Sequence, residues 1–132
     1  MPSVLILCTA NSARSQMAEG LFRAAAGGTW DVYSAGAEPS AVRPDAIAAM
    51  SEIGIDISTH RSKSVDEFTG REFTYVITVC DNANRACPIF PGKTQRLHWP
   101  FEDPAGQGIE SFRRVRDQIR AKIEEFLSAG SR

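Results

Sequence analysis

Three cysteines, Cys8, Cys80 and Cys87, carry the reactive chemistry of this chain of 132 residues. An odd number of cysteines is a poor basis for a structural disulfide framework, and no Cys-x-x-Cys pair is present to begin a zinc site. The two histidines, His60 and His98, are far apart in the sequence and lack the spacing of metal ligands. We therefore expect thiols that are reactive or buried, with no bound metal.

The first cysteine begins a loop that is suited to hold a tetrahedral oxyanion. Five residues separate Cys8 from Arg14, and the loop lies between a buried apolar segment and a helix-forming one. Backbone N–H groups of such a loop can point inward around an anion, and the following helix adds its positive N-terminal end. Arg14 offers a planar fork for two oxygens, and the same field favours a nucleophilic thiolate at Cys8. The predicted oxyanion loop consists of Thr9, Ala10, Asn11, Ser12, Ala13, Arg14 and Ser15.

Two residues of the oxyanion loop have properties that a tight cradle needs. Asn11 tolerates a left-handed backbone conformation, and Ser15 is placed to donate a hydrogen bond to the thiolate. The alternative interpretation is structural: Cys8 would be a buried thiol at a strand end, and Arg14 a surface residue. Because this spacing of cysteine and arginine is common by chance, the functional interpretation depends on the flanking strand and helix.

The later cysteines, Cys80 and Cys87, are seven positions apart. If the segment between them were helical, their Cα atoms would be about 10 Å apart, whereas a disulfide needs about 7 Å or less. The pair can therefore bond only if the segment unwinds or loops out. Two asparagines within it and Pro88 directly after it predict an unstable helix. The alternative is that both thiols are buried and unreactive.

The elements that position these residues alternate between strands and helices. The apolar patterns predict strands at 4–7, 31–35, 75–79 and 97–99, and helices at 16–26, 44–53 and 109–128. This order predicts an α/β fold with a four-stranded parallel sheet and helices on both faces. Ligands of such sheets bind outside the carboxyl ends of the strands. Because Cys8 and Cys80 each end a strand, we expect both at one edge of the sheet.

Composition and charge limit the function classes. Residues 1–132 suit a single domain, and the 42% of apolar residues is enough for a core. A formal net charge of −1 argues against a nucleic-acid partner. The apolar run Val4–Cys8 is too short to span a membrane and follows no basic segment typical of a signal peptide. We therefore expect a cytoplasmic monomer with no membrane partner.

The oxyanion loop, continued into Gln16-Met17-Ala18-Glu19, resembles the active-site loop of the low-molecular-weight tyrosine phosphatase fold. Nearly the whole chain is similar to the arsenate reductases built on that fold, and the paired later cysteines are the most specific feature. The other shared segments are Val32–Gly36, Gly54–Ser58, Val79–Asp81, Cys87-Pro88, His98-Trp99, Asp103–Ala105 and Phe112–Asp117. Two positions of the oxyanion loop depart from the pattern: Ala10 stands where glycine is common, and Ala13 where many members carry an extra cysteine.

The resemblance implies an arsenate reductase in which Cys8 attacks arsenate held by the loop and Arg14. Asp103 would protonate the departing oxygen, and Glu102 is the rival acid by position. No metal or organic cofactor is needed for this chemistry.

The resemblance further implies a thiol relay through the later cysteines. Cys80 would attack Cys8 and release arsenite, and Cys87 would then attack Cys80 and leave a disulfide for an external reductant. Thioredoxin fits this product, whereas glutaredoxin or a small thiol would resolve an earlier adduct.

A role for Lys63 is also implied by the resemblance. Some members bind potassium near the positions of Asn11, Glu19 and Ser34, with an aspartate where this chain has Lys63. A lysine there indicates that its ammonium group replaces the ion. The alternative is a solvated surface lysine.

Two rival functions stay open at the level of sequence. A phosphatase acting on phosphotyrosine or another phosphomonoester would use the same loop and acid but neither later cysteine. Such phosphatases usually carry tyrosines after the acid, whereas here Asp103-Pro104 leads into Ala105-Gly106; a weak residual phosphatase activity fits both interpretations. A non-catalytic oxyanion-binding module is disfavoured because the nucleophile, arginine and acid are all present.

Overall fold

The computed structural model describes residues 1–129, and its elements follow the predicted alternation. The strands are β1 (Ser3–Cys8), β2 (Asp31–Gly36), β3 (Tyr75–Thr78) and β4 (Gln95–His98). The helices are α1 (Arg14–Ala26), α2 (Pro44–Ser51), α3 (Asp81–Ala86) and α4 (Ile109–Ser128), with a 3-10 helix at Val65–Phe68. The strands form one parallel sheet in the order β2-β1-β3-β4, which confirms the predicted four-stranded parallel sheet.

The carboxyl edge of this sheet carries the two cysteines that follow strands. Strand β1 lies between β2 and β3, and its last residue, Cys8, pairs with Gly36 at the end of β2. Leu7 pairs with Thr78, the last residue of β3, so that Cys80 lies just beyond the same edge. The predicted meeting of Cys8 and Cys80 is confirmed, because parallel strands end together.

Helices cover both faces of the sheet, as predicted. The ring of Tyr75 packs against Phe126 of α4 on one face, where α1, α2 and α4 also pack against one another. The ring of Tyr33 packs against Phe68 of the 3-10 helix and against Phe73. Because the two tyrosines lie in successive rows of the strand register, their side chains point to opposite faces.

Three elements, α1, α2 and β4, have a boundary that lies two residues from the sequence prediction. Helix α1 begins at Arg14 rather than at residue 16, so that this arginine belongs to the helix that follows the loop. Helix α2 ends at Ser51 because the chain turns before Gly54, which has a left-handed φ of 79°. Strand β4 is Gln95–His98, since its pairing with β3, rather than its own apolar content, fixes its position.

The core of the molecule is centred on β1. Val4, Leu5, Ile6 and Leu7 are each at most 3% exposed, so that Cys8 follows a strand with no freedom to shift. None of the helices within residues 1–129 combines the length and the apolar character needed to cross a lipid bilayer.

Candidate active site

The buried side chain of Asn11 holds the oxyanion loop in a tight turn. Its φ of 50° is the one left-handed value at a non-glycine residue among residues 1–129, as the cradle geometry predicted. Its Nδ2 donates to Oγ of Ser15 at 2.8 Å and to Oγ of Ser34 at 3.0 Å. Its Oδ1 accepts from Nε2 of Gln16 at 3.0 Å and from the backbone N of Lys63 at 2.9 Å. The side-chain amide is fully satisfied, so the turn is rigid.

The segment that follows β2 binds the outer side of the oxyanion loop. Its backbone N–H groups donate to loop carbonyl oxygens in three pairs, Glu38 to Thr9, Ser40 to Ala10 and Arg43 to Ser12. Because these carbonyl groups are engaged on the outside, the N–H groups of the loop are left for an anion on the inside. Gly36 allows this close approach, since a Cβ there would lie 2.6 Å from the carbonyl oxygen of Thr9.

Arg14 contributes its guanidinium to the cleft in front of the loop. Its Nη1 donates to the carbonyl oxygen of Phe101 at 3.0 Å, and its Nη2 lies 3.8 Å from Oδ2 of Asp103. Its Nε is the one buried side-chain nitrogen or oxygen in the described part of the chain that lacks a hydrogen-bond partner. An unpaired buried donor costs about 1–3 kcal/mol. An anion oxygen that accepts from Nε would remove this cost.

The cleft has a volume of about 260 Å³ and separates the two acids that the sequence left as rivals. Asp103 lines the cleft, and its Oδ1 accepts from the N–H of Ala105 at 3.0 Å. Glu102 is not among the residues that line the cleft. A hydrogen bond from Arg114 at 2.8 Å engages its carboxylate and lowers its pKa. The geometry therefore favours Asp103 as the acid that meets a bound oxyanion.

Arg43 is a cleft residue that the sequence did not single out. It directly precedes α2, its side chain is exposed, and it lines the same cleft as Cys8 and Arg14. A second cation beside Arg14 favours the capture of a dianion. No local pattern predicts this position, because the fold of the segment from Gly36 onward brings Arg43 to the loop.

Cys80 lies against Cys8 at the carboxyl edge of the sheet. It caps the N-terminus of α3, where its Sγ accepts from the N–H of Ala83 at 3.4 Å. The same Sγ lies 3.2 Å from Oγ1 of Thr9, which directly follows Cys8, and it is close enough to the Cys8 thiol for each to shift the pKa of the other. The nucleophile of the loop and the second thiol are therefore neighbours.

The Cys8 and Cys80 thiols interact, and together they hold one proton and one negative charge. The interaction with Cys8 outweighs burial and lowers the pKa of Cys80 to about 5. The interaction with Cys80, together with burial, raises the pKa of Cys8 against the attraction of Arg14. Because the titrations of two interacting groups belong to the pair, the thiolate expected at Cys8 stays a prediction. Within the described residues Ser15 bonds Asn11 and not the Cys8 thiol, so that predicted contact is absent.

Helix α3 keeps the two later thiols apart. Cys80 and Cys87 are its N-cap and C-cap residues, and neither forms a disulfide. Cys87 is half-buried, and burial raises the pKa of its thiol. Cys8, Ala83 and Cys87 line one cavity of about 10 Å³, so the first and third thiols border the same space. The segment that the sequence predicted as an unstable helix is helical in this state.

A buried cluster around Glu19 supports the loop from behind. Oε1 of Glu19 accepts from Oγ of Ser34 at 2.5 Å and lies 3.7 Å from Nζ of Lys63. Nζ of Lys63 donates to the carbonyl oxygen of Arg61 at 3.0 Å, and burial lowers the pKa of this ammonium group. With 12% of its side chain exposed, Lys63 is not a solvated surface lysine. His60, which the sequence left without a role, places Nε2 3.7 Å from Oε2 of Glu19.

Comparison with known proteins agrees with this geometry. The family described as low molecular weight phosphotyrosine protein phosphatase matches residues 3–131. Arsenate reductase 2 of Staphylococcus saprophyticus is 47% identical over 124 residues, which cover 94% of this chain and 95% of that protein.

Solved structures of arsenate reductases superpose on nearly the whole chain. An arsenate reductase in the oxidized state superposes with a TM-score of 0.88 at 37% identity, covering 98% of each chain. A thioredoxin-dependent arsenate reductase of Corynebacterium glutamicum superposes with a TM-score of 0.78 at 32% identity, covering 98% of this chain and 61% of the other.

Proposed function

We propose that this chain, which belongs to the low molecular weight phosphotyrosine protein phosphatase family, reduces arsenate to arsenite through a relay of its three thiols. The observation that carries the proposal is the meeting of two thiols at the oxyanion loop, where Sγ of Cys80 lies 3.2 Å from Oγ1 of Thr9, the residue directly after Cys8. A phosphatase releases its covalent intermediate with water, so a second thiol against the first has no task in that reaction. Relatives named as arsenate reductases support the same activity.

The first step forms a bond between Cys8 and arsenic. Arsenate accepts hydrogen bonds from the loop N–H groups and from Arg14, whose Nε is unpaired in this state. The proton that the two thiols hold moves to Cys80, and the Cys8 thiolate attacks arsenic. Asp103 donates a proton to the leaving oxygen, which departs as water.

The second step is the reduction. Cys80 passes its proton to an arsenic-bound oxygen and attacks Sγ of Cys8, with its thiolate stabilised by the hydroxyl of Thr9 at 3.2 Å. The sulfur–arsenic bond breaks, and its electron pair leaves on arsenic as arsenite. Cys8 and Cys80 are oxidised to a disulfide, so the two electrons that arsenic gains come from the two sulfurs.

The third step moves the disulfide outward. The Cys87 thiolate attacks Sγ of Cys80, and Cys8 leaves as a thiolate ready for another arsenate. Seven positions along a helix separate the Cα atoms by about 10 Å, and a disulfide needs about 7 Å or less, so α3 has to unwind. We take thioredoxin as the reductant of the resulting disulfide, with glutaredoxin as the alternative, and the dependence named for the Corynebacterium relative supports thioredoxin.

Lys63 serves, in this proposal, as the cation behind the loop. Glu19 is buried, and a buried charge without a partner is strongly destabilising. Arg23 lies 3.0 Å from Oε2 of Glu19, which leaves Oε1 for another cation. The Lys63 ammonium group, 3.7 Å from Oε1 of Glu19, supplies on that side the charge that potassium supplies in some members of the family. Through Ser34, Glu19 then holds the Asn11 side chain that shapes the loop.

All the thiols of the relay belong to one chain and are free, which fits a monomer working in a reducing compartment such as the cytoplasm. No step of the relay requires a metal, an organic cofactor or a second copy of the chain.

A single turnover with arsenate tests the proposal. The reduced protein should form arsenite and lose two free thiols for each arsenite, and Cys8→Ser should slow this by at least about 10⁴-fold, as loss of a nucleophile does elsewhere. Cys87→Ala should form one equivalent of arsenite and stop as a Cys8–Cys80 disulfide, visible by mass spectrometry of the alkylated digest. Steady-state turnover with thioredoxin should then be lost.

Two other results would contradict the proposed relay. Full multiple turnover by Cys87→Ala would mean that an external thiol resolves the intermediate and that Cys87 is only a packed thiol. Rapid hydrolysis of phosphomonoesters by a protein that leaves arsenate unreduced would establish the phosphatase function instead.

A further inference from the structure

The ring of His98, at the end of β4, lies between the sheet and the start of α3. Its Nε2 lies 2.9 Å from Oδ1 of Asp81, and its Nδ1 lies 2.7 Å from Oγ1 of Thr78. Asp81 is the first residue of α3 and directly follows Cys80. The hydroxyl of Thr78 in turn lies 3.3 Å from Oδ1 of Asn84, further along the helix. Two strand ends therefore hold the helix through side chains.

Helix α3 depends on such contacts because it has six residues. Isolated helices of this length do not form in water, so tertiary contacts must supply their stability. The contact between His98 and Asp81 persists in either charge state of the ring, since both the neutral form protonated at Nε2 and the imidazolium donate from Nε2. The aspartate side chain is 74% exposed and the histidine side chain 28%, so the contact opens toward solvent.

The two thiol exchanges make opposite demands on the first turn of α3. The attack of Cys80 on Cys8 needs the turn in place, because the N–H of Ala83 and the hydroxyl of Thr9 both bond Sγ of Cys80 there. The bond between Cys80 and Cys87 needs the helix unwound, for the reason of distance given above. A contact that holds the first turn therefore assists one exchange and opposes the next.

We propose that His98 is a positioning residue of the thiol relay. By holding Asp81 it keeps Cys80 in position to attack Cys8, and it releases the first turn of α3 when Cys80 bonds Cys87. The inference rests on the proposed function and adds to it a residue that favours the first thiol exchange over the second while α3 is intact. His98 touches neither the oxyanion nor a reacting sulfur, and it exchanges no electrons.

The first test is the rate of arsenite release in a single turnover. His98→Ala and Asp81→Ala should each slow this release by about tenfold, because a displacement of about 1 Å in an attacking group can cost even more. The KM for arsenate and the Kd for phosphate should stay within about twofold, since His98 makes no contact with the oxyanion loop. Gln95→Ala, on the same strand and away from α3, is the matched control and should behave as wild type.

The second test isolates the later exchange and needs no arsenate. In a Cys8→Ser background only Cys80 and Cys87 can bond, and diamide, an azo compound, accepts the two electrons and two protons that they release. His98→Ala should accelerate this closure several-fold. The same substitution thus slows the first exchange and speeds the second, which a general loss of activity does not do.

Conservative replacement provides the rescue. Asp81→Asn keeps an oxygen that accepts from Nε2 and should restore both rates to within about twofold of wild type. The double variant of His98→Ala and Asp81→Ala should be no slower than either alone, as expected of two residues that act through one contact. If His98→Ala fails to fold, the Asp81 variants carry the test, because that side chain is exposed.

Wild-type rates of arsenite release in both alanine variants would overturn the proposal, as would an Asp81→Asn variant that resembles Asp81→Ala. Absence of arsenite from the wild-type protein would overturn the proposed function instead. The diamide measurement would still decide whether His98 holds α3, so the two failures are distinguishable.

Discussion

The oxyanion loop and helix α3 meet at one edge of the sheet but are stabilised in opposite ways. The loop is held by the fully buried Asn11, whose amide bonds four neighbours. Helix α3 has six residues, a cysteine at each end, and attachments through exposed side chains such as Asp81. The part that binds the anion is thus preformed, whereas the part that carries the disulfide is free to change conformation.

This difference follows from what each region has to do. An anion is bound well only by donors that are already in place, because reorganisation during the reaction would raise the barrier. A disulfide between Cys80 and Cys87 needs the opposite property, since its two sulfurs begin at the two ends of a helix. The contacts of Cys80 with Cys8 and Thr9 join the rigid region to the changeable one.

Among substitutions that keep all three thiols, the largest expected effect comes from the oxyanion loop. Arg14→Lys should lower kcat/KM for arsenate by about 10²- to 10³-fold, as loss of a preorganised donor does in other enzymes, because an ammonium group cannot span two oxygens. Steady-state kinetics measures the effect, and Arg43→Lys, at the exposed rim, is the control that should lose little. Near-normal kinetics for Arg14→Lys would contradict bidentate binding.

The difference between the oxyanion loop and α3 should also appear in the free energy of unfolding of variants in each region. Asn11→Ala removes four buried hydrogen bonds and should lower the free energy of unfolding by about 2–4 kcal/mol, because buried partners are left unpaired. Asn84→Ala, in α3, should cost less than about 1 kcal/mol, as expected of a position away from a buried network. Urea denaturation compares the two variants. Equal losses would mean that loop and helix do not differ in the way described.

The shared thiolate gives a pH-dependent prediction. Since the pKa of Cys80 is lowered to about 5, thiolate absorbance in the ultraviolet should appear as the pH rises through that value and be lost below it. Thr9→Val removes a donor that favours the charged form and should raise the midpoint, whereas Thr9→Ser keeps the hydroxyl and should not. A midpoint unchanged in Thr9→Val would show that the contact at 3.2 Å does not stabilise the thiolate.

The smallest effect is expected for the melting temperature after substitution of Lys63, in the cluster around Glu19. Lys63→Asp should lower the melting temperature by a few degrees in potassium-free buffer, corresponding to about 1 kcal/mol, because two carboxylates would then face each other. Added potassium should restore it by binding near Asn11, Glu19 and Ser34. Lys93→Asp, on the exposed surface, is the control. Equal melting temperatures with and without potassium would count against the replacement of the ion by Lys63.

The sequence predicted those parts of the molecule whose cause is local. The loop from Cys8 to Ser15 was found because strand, loop and helix are consecutive, and β1 is a continuous apolar run. The left-handed backbone of Asn11 also follows from the residue type. The meeting of Cys8 and Cys80 at the carboxyl edge of the sheet follows from one topological rule, which is that parallel strands end at the same edge.

Features that depend on distant segments could not be predicted. Arg43 and His60 reach the site only through the packing of the chain after β2, and His98 meets Asp81 only because β4 pairs with β3. The lowered pKa of Cys80 has the same origin, since it depends on an interaction with Cys8, seventy-two positions away. Intrinsic propensity likewise indicates only that α3 is unstable by itself, since its helical state comes from its caps and its attachments.

One consequence of Gly36 concerns mutational tolerance. Gly36 lies at the end of β2. A Cβ atom added there would lie 2.6 Å from the carbonyl oxygen of Thr9 and 2.8 Å from the backbone N of Asn11. Both neighbours are main-chain atoms, which no change of rotamer can move aside. A random mutational library should therefore be as depleted at this position as at the nucleophile, although no side chain there meets the oxyanion.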